Sequence, residues 1–200
     1  MRRPRFLFIV LFLALTACAG TFKVVQLPIR EADLYPLSQT VGGISVAVDE
    51  ISNPDRAWRY FGADLIGYGV LPINITVSNH SGHRCSIKPS DVLLRSGKEV
   101  IDPLPIHVVT RLAKRASRAR AETQEQIDDF FSRLSFTDTV LVPHDSYQGV
   151  LFFPVEDRHK RDPFFSVVTL FLEGRLKMEV VVTDIETHQR THFGPFSVSI

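Results

Sequence analysis

Leu71-Pro72-Ile73-Asn74-Ile75-Thr76-Val77-Ser78-Asn79 is the stretch that decides the fold. Apolar side chains at 71, 73, 75 and 77 alternate with small or polar ones, the period of two that sends successive residues to opposite faces of a strand. Residues 79–82 supply turn chemistry at its end. Pro72 has no amide hydrogen to give to a ladder, so it belongs near the strand start or on an unpaired edge. Upstream, Ile44, Val46 and Val48 alternate with Ser45, Ala47 and Asp49 as a half-buried strand. Between the two, Trp58, Phe61 and Leu65 recur at helical spacing, suggesting one or two turns before Gly67 and Gly69.

Further extended stretches read at 85–87, 92–94, 139–142, 148–155, 164–172, 176–183 and 192–200, with turn residues between them. About eight or nine short strands without strand–helix–strand alternation predict an antiparallel sandwich or barrel, not a parallel sheet. One segment interrupts them. From about 105 to 135, Val109, Leu112, Ala113, Ala116, Ala119, Thr123, Ile127, Phe130, Phe131 and Leu134 fall at steps of three and four. That spacing predicts one long inserted α-helix, thin in the middle where alanine allows close packing and anchored by phenylalanine at its far end.

The charges of that helix run in an unfavourable order. Arg111, Lys114, Arg115, Arg118 and Arg120 precede Glu122, Glu125, Asp128 and Asp129, which opposes the macrodipole of a single helix. Lys114 with Arg118, and Glu125 with Asp129, are like-charge pairs four residues apart. A basic face kept against local energetics suggests a contact surface made by Arg111, Lys114, Arg115, Arg118 and Arg120. Its partner would be anionic lipid, a polyanionic glycan or an acidic envelope protein.

The N-terminus is a separate unit. Arg2, Arg3 and Arg5 precede an apolar run over 6–15, too short for a membrane helix of about 20 residues but suited to a secretory signal. Leu15-Thr16-Ala17-Cys18 resembles the lipobox of bacterial lipoproteins. The resemblance implies that residues 1–17 are removed and that Cys18 becomes the lipidated first residue, anchored by two or three acyl chains. Ala19 is not the aspartate associated with inner-membrane retention, so the resemblance points to the periplasmic face of the outer membrane in a Gram-negative source. Residues 18–40 then form the lipidated N-terminus and a connector, and 41–200 the folded domain. Val24, Val25, Leu27 and Ile29 make the connector too apolar to be a freely solvated tether, so part of it should pack on the domain.

With 200 residues, 44% hydrophobic and 22% charged, the chain is neither disordered, fibrous nor a polytopic membrane protein. A formal charge of +1, falling to about −2 once the three signal arginines leave, gives no reason to expect nucleic acid. Removing the signal also leaves Cys85 as the one unmodified thiol, read as a small buried hydrophobe in preference to a reactive group.

The strand at 71–79 and the later Val142-Pro143-His144-Asp145-Ser146-Tyr147-Gln148-Gly149-Val150-Leu151-Phe152-Phe153 resemble immunoglobulin-like domains of bacterial lipoproteins. That resemblance covers roughly 41–200 and implies a β-sandwich, with no activity attached.

Chemistry-bearing motifs are sparse. His80, His83 and Cys85 form H-x2-H-x-C, ligand types for zinc or copper but without the spacing of a structural zinc site. His188 and His192 flank a hairpin-like segment, and His144-Asp145-Ser146 reads as a turn. No nucleophile elbow, H-E-x-x-H, phosphate loop or Rossmann glycine pattern occurs, and no cofactor is implied. The expectation is a membrane-anchored, noncatalytic binding or scaffolding module. The alternatives are a metal-dependent or hydrolytic envelope enzyme using His80, His83 and Cys85, and a carrier of an apolar ligand between sheet and helix.

Overall fold

The structure, a computed structural model, describes residues 24–117, 121–155 and 176–199, with backbone alone for 121–123. The signal segment, Cys18, Arg118, Arg120 and the strand expected at 164–172 lie outside the described residues. Most of what is described is strand, arranged in two antiparallel sheets, with three α-helices among the described residues.

The first sheet has the order β1 (Ser38–Val41), β2 (Ile44–Glu50), β3 (Val70–Asn79), β8 (Ser146–Pro154). The decisive stretch is its central strand β3. Pro72 sits near the strand start, as its chemistry requires: β2 ends at Glu50 opposite Ile73, and the Pro72 carbonyl accepts from Ile51 N at 2.9 Å just beyond.

In the second sheet β9 (Leu176–Asp184) is central. It pairs with β10 (Arg190–Val198) on one side. On the other it pairs with β4 (Cys85–Ile87) near its end and with β5 (Val92–Ser96) near its start. Two short strands complete the sheet, β6 (Glu99–Ile101) beside β5 and β7 (Thr139–Leu141) beside β4. A bulge in β10 between Phe193 and Phe196, with Gly194 at φ 104, shifts the alternation. Phe193, Phe196 and Val198 all reach the core as a result. That core lies between the sheets and includes Leu71, Ile73, Ile75 and Val77 of β3 and Leu176, Met178, Val180 and Val182 of β9.

All ten residues of β3 are buried, so its second face is covered too. One cover is the connector: Ala32 N donates to Ser78 Oγ at 3.0 Å, and Ala32 and Tyr35 pack on Ala47. The other is helical. The first helix, α1 (Pro54–Phe61), starts at Asn53, whose Oδ1 accepts from Arg56 N at 3.0 Å, and stops at Gly62 in the left-handed conformation. It buries Ala57 and Phe61, one turn apart, and its Arg56 pairs with Asp49 of β2. Phe61, Phe131 and Phe152 then meet in a cluster with ring centroids 5.6–6.0 Å apart. On the same covered face, Asn74 Oδ1, Thr76 Oγ1 and Gln148 Oε1 have no hydrogen-bond partner among the described residues.

The inserted segment is not one helix. It forms α2 (Ile106–Ser117) and α3 (Ala121–Leu134), which pack on each other. Lys114 Nζ lies 2.6 Å from Asp128 Oδ2, fourteen positions along the chain. In a continuous helix those residues would stand about 21 Å apart, at about 1.5 Å rise each. The charge order supplies the reason. Split in two, the segment places Lys114 and Arg115 in the last turn of α2, where cations are favoured, and puts Glu125, Asp128 and Asp129 in a separate helix and no longer toward the C-terminal end of the same one. The order that was wrong for one helix is right for a hairpin.

The open edge of β8 is covered by the chain on either side of this hairpin. Leu104 N donates to Phe152 O at 2.6 Å, and Phe136 N to Val150 O at 3.0 Å. Gly149 makes the approach feasible, since a Cβ there would come within 2.7 Å of Phe136 Cα.

A double-mutant cycle checks the hairpin. Lys114→Ala and Asp128→Ala should show a coupling of about 0.5 kcal/mol in urea unfolding, modest because both side chains are partly exposed. Strictly additive effects would mean that this pair adds nothing to the hold between the two helices.

Candidate functional site

The residues singled out in the sequence separate into distinct places. Asn79, at the end of β3, organises the first of them. Its buried side chain donates from Nδ2 to His83 O at 2.8 Å and Leu141 O at 3.2 Å, and its Oδ1 accepts from Ser81 N at 3.0 Å and Ser81 Oγ at 2.6 Å. Its backbone N donates to Asp145 O, and its carbonyl accepts from His144 N, which holds the 143–145 turn against the β3–β4 turn. His144 is in the left-handed region at φ 69, and Ser146 Oγ is paired with Ser78 Oγ at 2.8 Å. His144, Asp145 and Ser146 are thus turn and strand-start residues, as read from sequence.

Around this turn lies an open polar cavity of about 360 Å³, lined by His80, Ser81, His83, Asp184, Gln189 and Thr191 among others. His80 and His83 both face it, each beside its own carboxylate: His80 Nε2 is 3.0 Å from Glu31 Oε2, and His83 Nδ1 is 2.9 Å from Asp184 Oδ2. Asp184 Oδ1 also accepts from the backbone N–H groups of Glu186 and Thr187, both at 2.8 Å. These donors, the Thr187 amide first and His83 next, hold the Asp184 carboxyl down at about 2. The same carboxylate raises His83 above the usual imidazole range.

Cys85 does not join the two histidines. It points into the core from β4, and burial pushes its thiol up to about 11, the behaviour of an inert buried cysteine. No group of three or more His, Cys, Asp or Glu side chains able to hold a metal occurs among the described residues. Sequence reading found His80 and His83 but missed Glu31, Asp184, Gln189 and Thr191. Only the Asp-x-x-Thr turn at 184–187 carries a local signal, because its amides converge on one carboxylate.

The basic positions lie elsewhere. Arg111 and Arg115 are exposed on α2, four residues apart, whereas Lys114 is turned toward Asp128. A third place is an apolar groove of about 390 Å³ between the hairpin and β8, lined by Pro103, Leu104, Ile106, Phe136 and Phe152 among others. No described helix is long and apolar enough to cross a membrane.

No protein-family model and no curated protein matches this chain. Among solved structures, a "putative lipoprotein (ycdA)" from Bacillus subtilis subsp. subtilis str. 168 is similar over 85% of this chain and 39% of its own, with 12% identity and a TM-score of 0.43. The chain therefore spans well under half the length of that protein. The yjhA protein from Bacillus subtilis is similar over 78% of this chain and 94% of its own, with 9% identity and a TM-score of 0.42. These are distant structural similarities and assign no family.

The His83–Asp184 pair predicts a definite pH window. A raised His83 stabilises the fold fully below the unfolded imidazole value of about 6.5, and the contribution is lost as pH rises through the folded value. A lowered Asp184 contributes above the ordinary carboxylate value and is lost as pH falls toward about 2. The pair is therefore at full strength from about pH 4 to about 6.5. Proton NMR should show the His83 ring titrating above a free imidazole and falling back toward the ordinary value in Asp184→Asn, where Glu186 still raises it. An unshifted wild-type titration would rule the pairing out.

Proposed function

We propose that the chain is an exported lipoprotein whose lipidated Cys18 tethers a noncatalytic binding or scaffolding module to the periplasmic face of a bacterial outer membrane. The observation that carries this reading is the order of signals at the N-terminus: Arg2, Arg3 and Arg5, the apolar run over 6–15, then Leu15-Thr16-Ala17-Cys18. Two or three acyl chains on one cysteine give stable anchoring without a spanning helix.

We read the module as immunoglobulin-like. In support, β3 lies between β2 and β8, the neighbourhood of strand B between A and E in that family. β9 lies between β10 and the broken β4/β5 pair, as F lies between G and C. The α2–α3 hairpin falls in chain order where strand D would stand. The contact surface in this reading is the basic side of α2, with Arg111 and Arg115 facing solvent and Arg118 and Arg120 following in sequence. Its partner is an acidic envelope protein or a polyanionic glycan. The hairpin removes the energetic objection to the charge order, so the case for contact rests on the exposure of the two arginines alone.

The apolar groove favours a second reading, a carrier of an apolar ligand between sheet and helices, since Leu104, Ile106, Phe136 and Phe152 line a space of ligand size. The enzyme alternative built on His80, His83 and Cys85 draws no such support, because Cys85 is committed to the core.

In cells, Cys18→Ser should abolish acyl labelling and release the protein from the membrane fraction; unchanged labelling would end the lipoprotein reading. With anchoring intact, Arg111→Glu combined with Arg115→Glu should abolish salt-sensitive crosslinks formed from α2. If the same crosslinks persist, the basic side is ordinary solvated surface.

A further inference from the structure

We infer that the exposed side of α1, together with Val25, rests on the phospholipid surface that holds the acylated Cys18, with Trp58 placed in the headgroup interface. The inference builds on the lipoprotein reading and adds an orientation to it. Five residues stand between Cys18 and Val24, so the six steps of the tether reach at most about 20 Å even when fully extended. The acylated cysteine itself sits beneath the headgroups, whose layer is roughly 5–7 Å deep on each side of the hydrocarbon core. Little more than about 15 Å is left above the membrane surface. A folded body of some 160 residues, with a radius of gyration of about 15 Å, cannot turn freely on so short a leash. Whatever surrounds Val25 must face the bilayer.

What surrounds Val25 is the last turn of α1. Val25 N donates to Arg59 O at 3.0 Å, satisfying a carbonyl that has no partner within the helix because α1 ends at Phe61. The point where the tether meets the domain is thereby fixed beside Trp58 and Arg59. Trp58 is 49% exposed and Val25 53% exposed, although both are apolar enough to be buried elsewhere. Arg59 is exposed next to Trp58, and Asp55 one turn earlier is the acidic residue on that side. An indole with an apolar body and one N–H donor suits the boundary between acyl chains and headgroups, and a guanidinium beside it suits lipid phosphate. The membrane surface, not a protein partner, is the occupant because the tether brings it there.

Trp58 is the only tryptophan in the chain, so fluorescence reads this one position. The acylated full-length protein would be reconstituted into vesicles of phosphatidylethanolamine and phosphatidylglycerol, with and without brominated acyl chains. Mass spectrometry of Cys18 and vesicle flotation report anchoring, and Trp58 emission reports contact. The expected result is a blue-shifted emission roughly halved by brominated lipid. A long Gly-Ser insert between Cys18 and Val24 should weaken the quenching while flotation is unchanged. Acylated protein that floats with unshifted, unquenched emission overturns this orientation and leaves the lipoprotein reading standing. Protein without an acyl group on Cys18 overturns both.

Discussion

Three phenylalanines from three separate stretches of chain, Phe61, Phe131 and Phe152, hold a helical layer on the first sheet. Fully burying an aromatic side chain is worth roughly 1.5–3 kcal/mol, and ring pairs add about 0.5–1.5 kcal/mol beyond area. The helices outside the two-sheet core meet at this cluster. It fixes α1 over one end of β3, and α1 fixes the incoming connector through Arg59 and Val25. It also fixes α3, and the neighbouring α2 joins the same cluster through its buried Val109, Leu112 and Ala113. The described residues therefore form two antiparallel sheets with an added helical layer, and both proposed contact surfaces, the basic side of α2 and the exposed side of α1, belong to that layer.

Much of the strand framework is legible in the sequence because period-two alternation survives wherever one face meets the core. The 71–79 stretch and the pairing partners 44–50 and 146–154 stand within a residue or two of where the pattern puts them. The long helix is legible in type but not in connection. Hydrophobic spacing continues through 118–120 as if nothing happened, since a hairpin of two helices and one straight helix bury nearly the same set of positions. The charges held the missing information. Their opposition to a single macrodipole is a conflict between local and global preference, and such conflicts argue against the assignment that produces them.

The candidate site was less legible for a different reason. His83 and Asp184 are 101 positions apart and meet only because β9 pairs with β4. Glu31 reaches His80 only because the connector lies along the sheet. Neither carboxylate is marked by any local spacing to its histidine. Cys85 shows the converse: its position in a metal-like motif means little once the strand direction sends the thiol inward.

The polar side of β3 has a further consequence. Asn74, Thr76 and Ser78 lie beneath the helices and connector, while Leu71, Ile73, Ile75 and Val77 face the second sheet. A strand buried on both sides and apolar on both would fit the sandwich equally well in either of two registers one residue apart. Here a slip by one residue would strip Ser78 of its Ala32 and Ser146 partners and drive an amide and two hydroxyls in among the apolar side chains between the sheets, where each unpaired polar group costs about 1–3 kcal/mol. The polar row weakens the contact between the layers, yet it tells the strand which layer is which. A mutant with that row replaced by valines is expected to gain apolar burial and lose the uniqueness of its strand pairing.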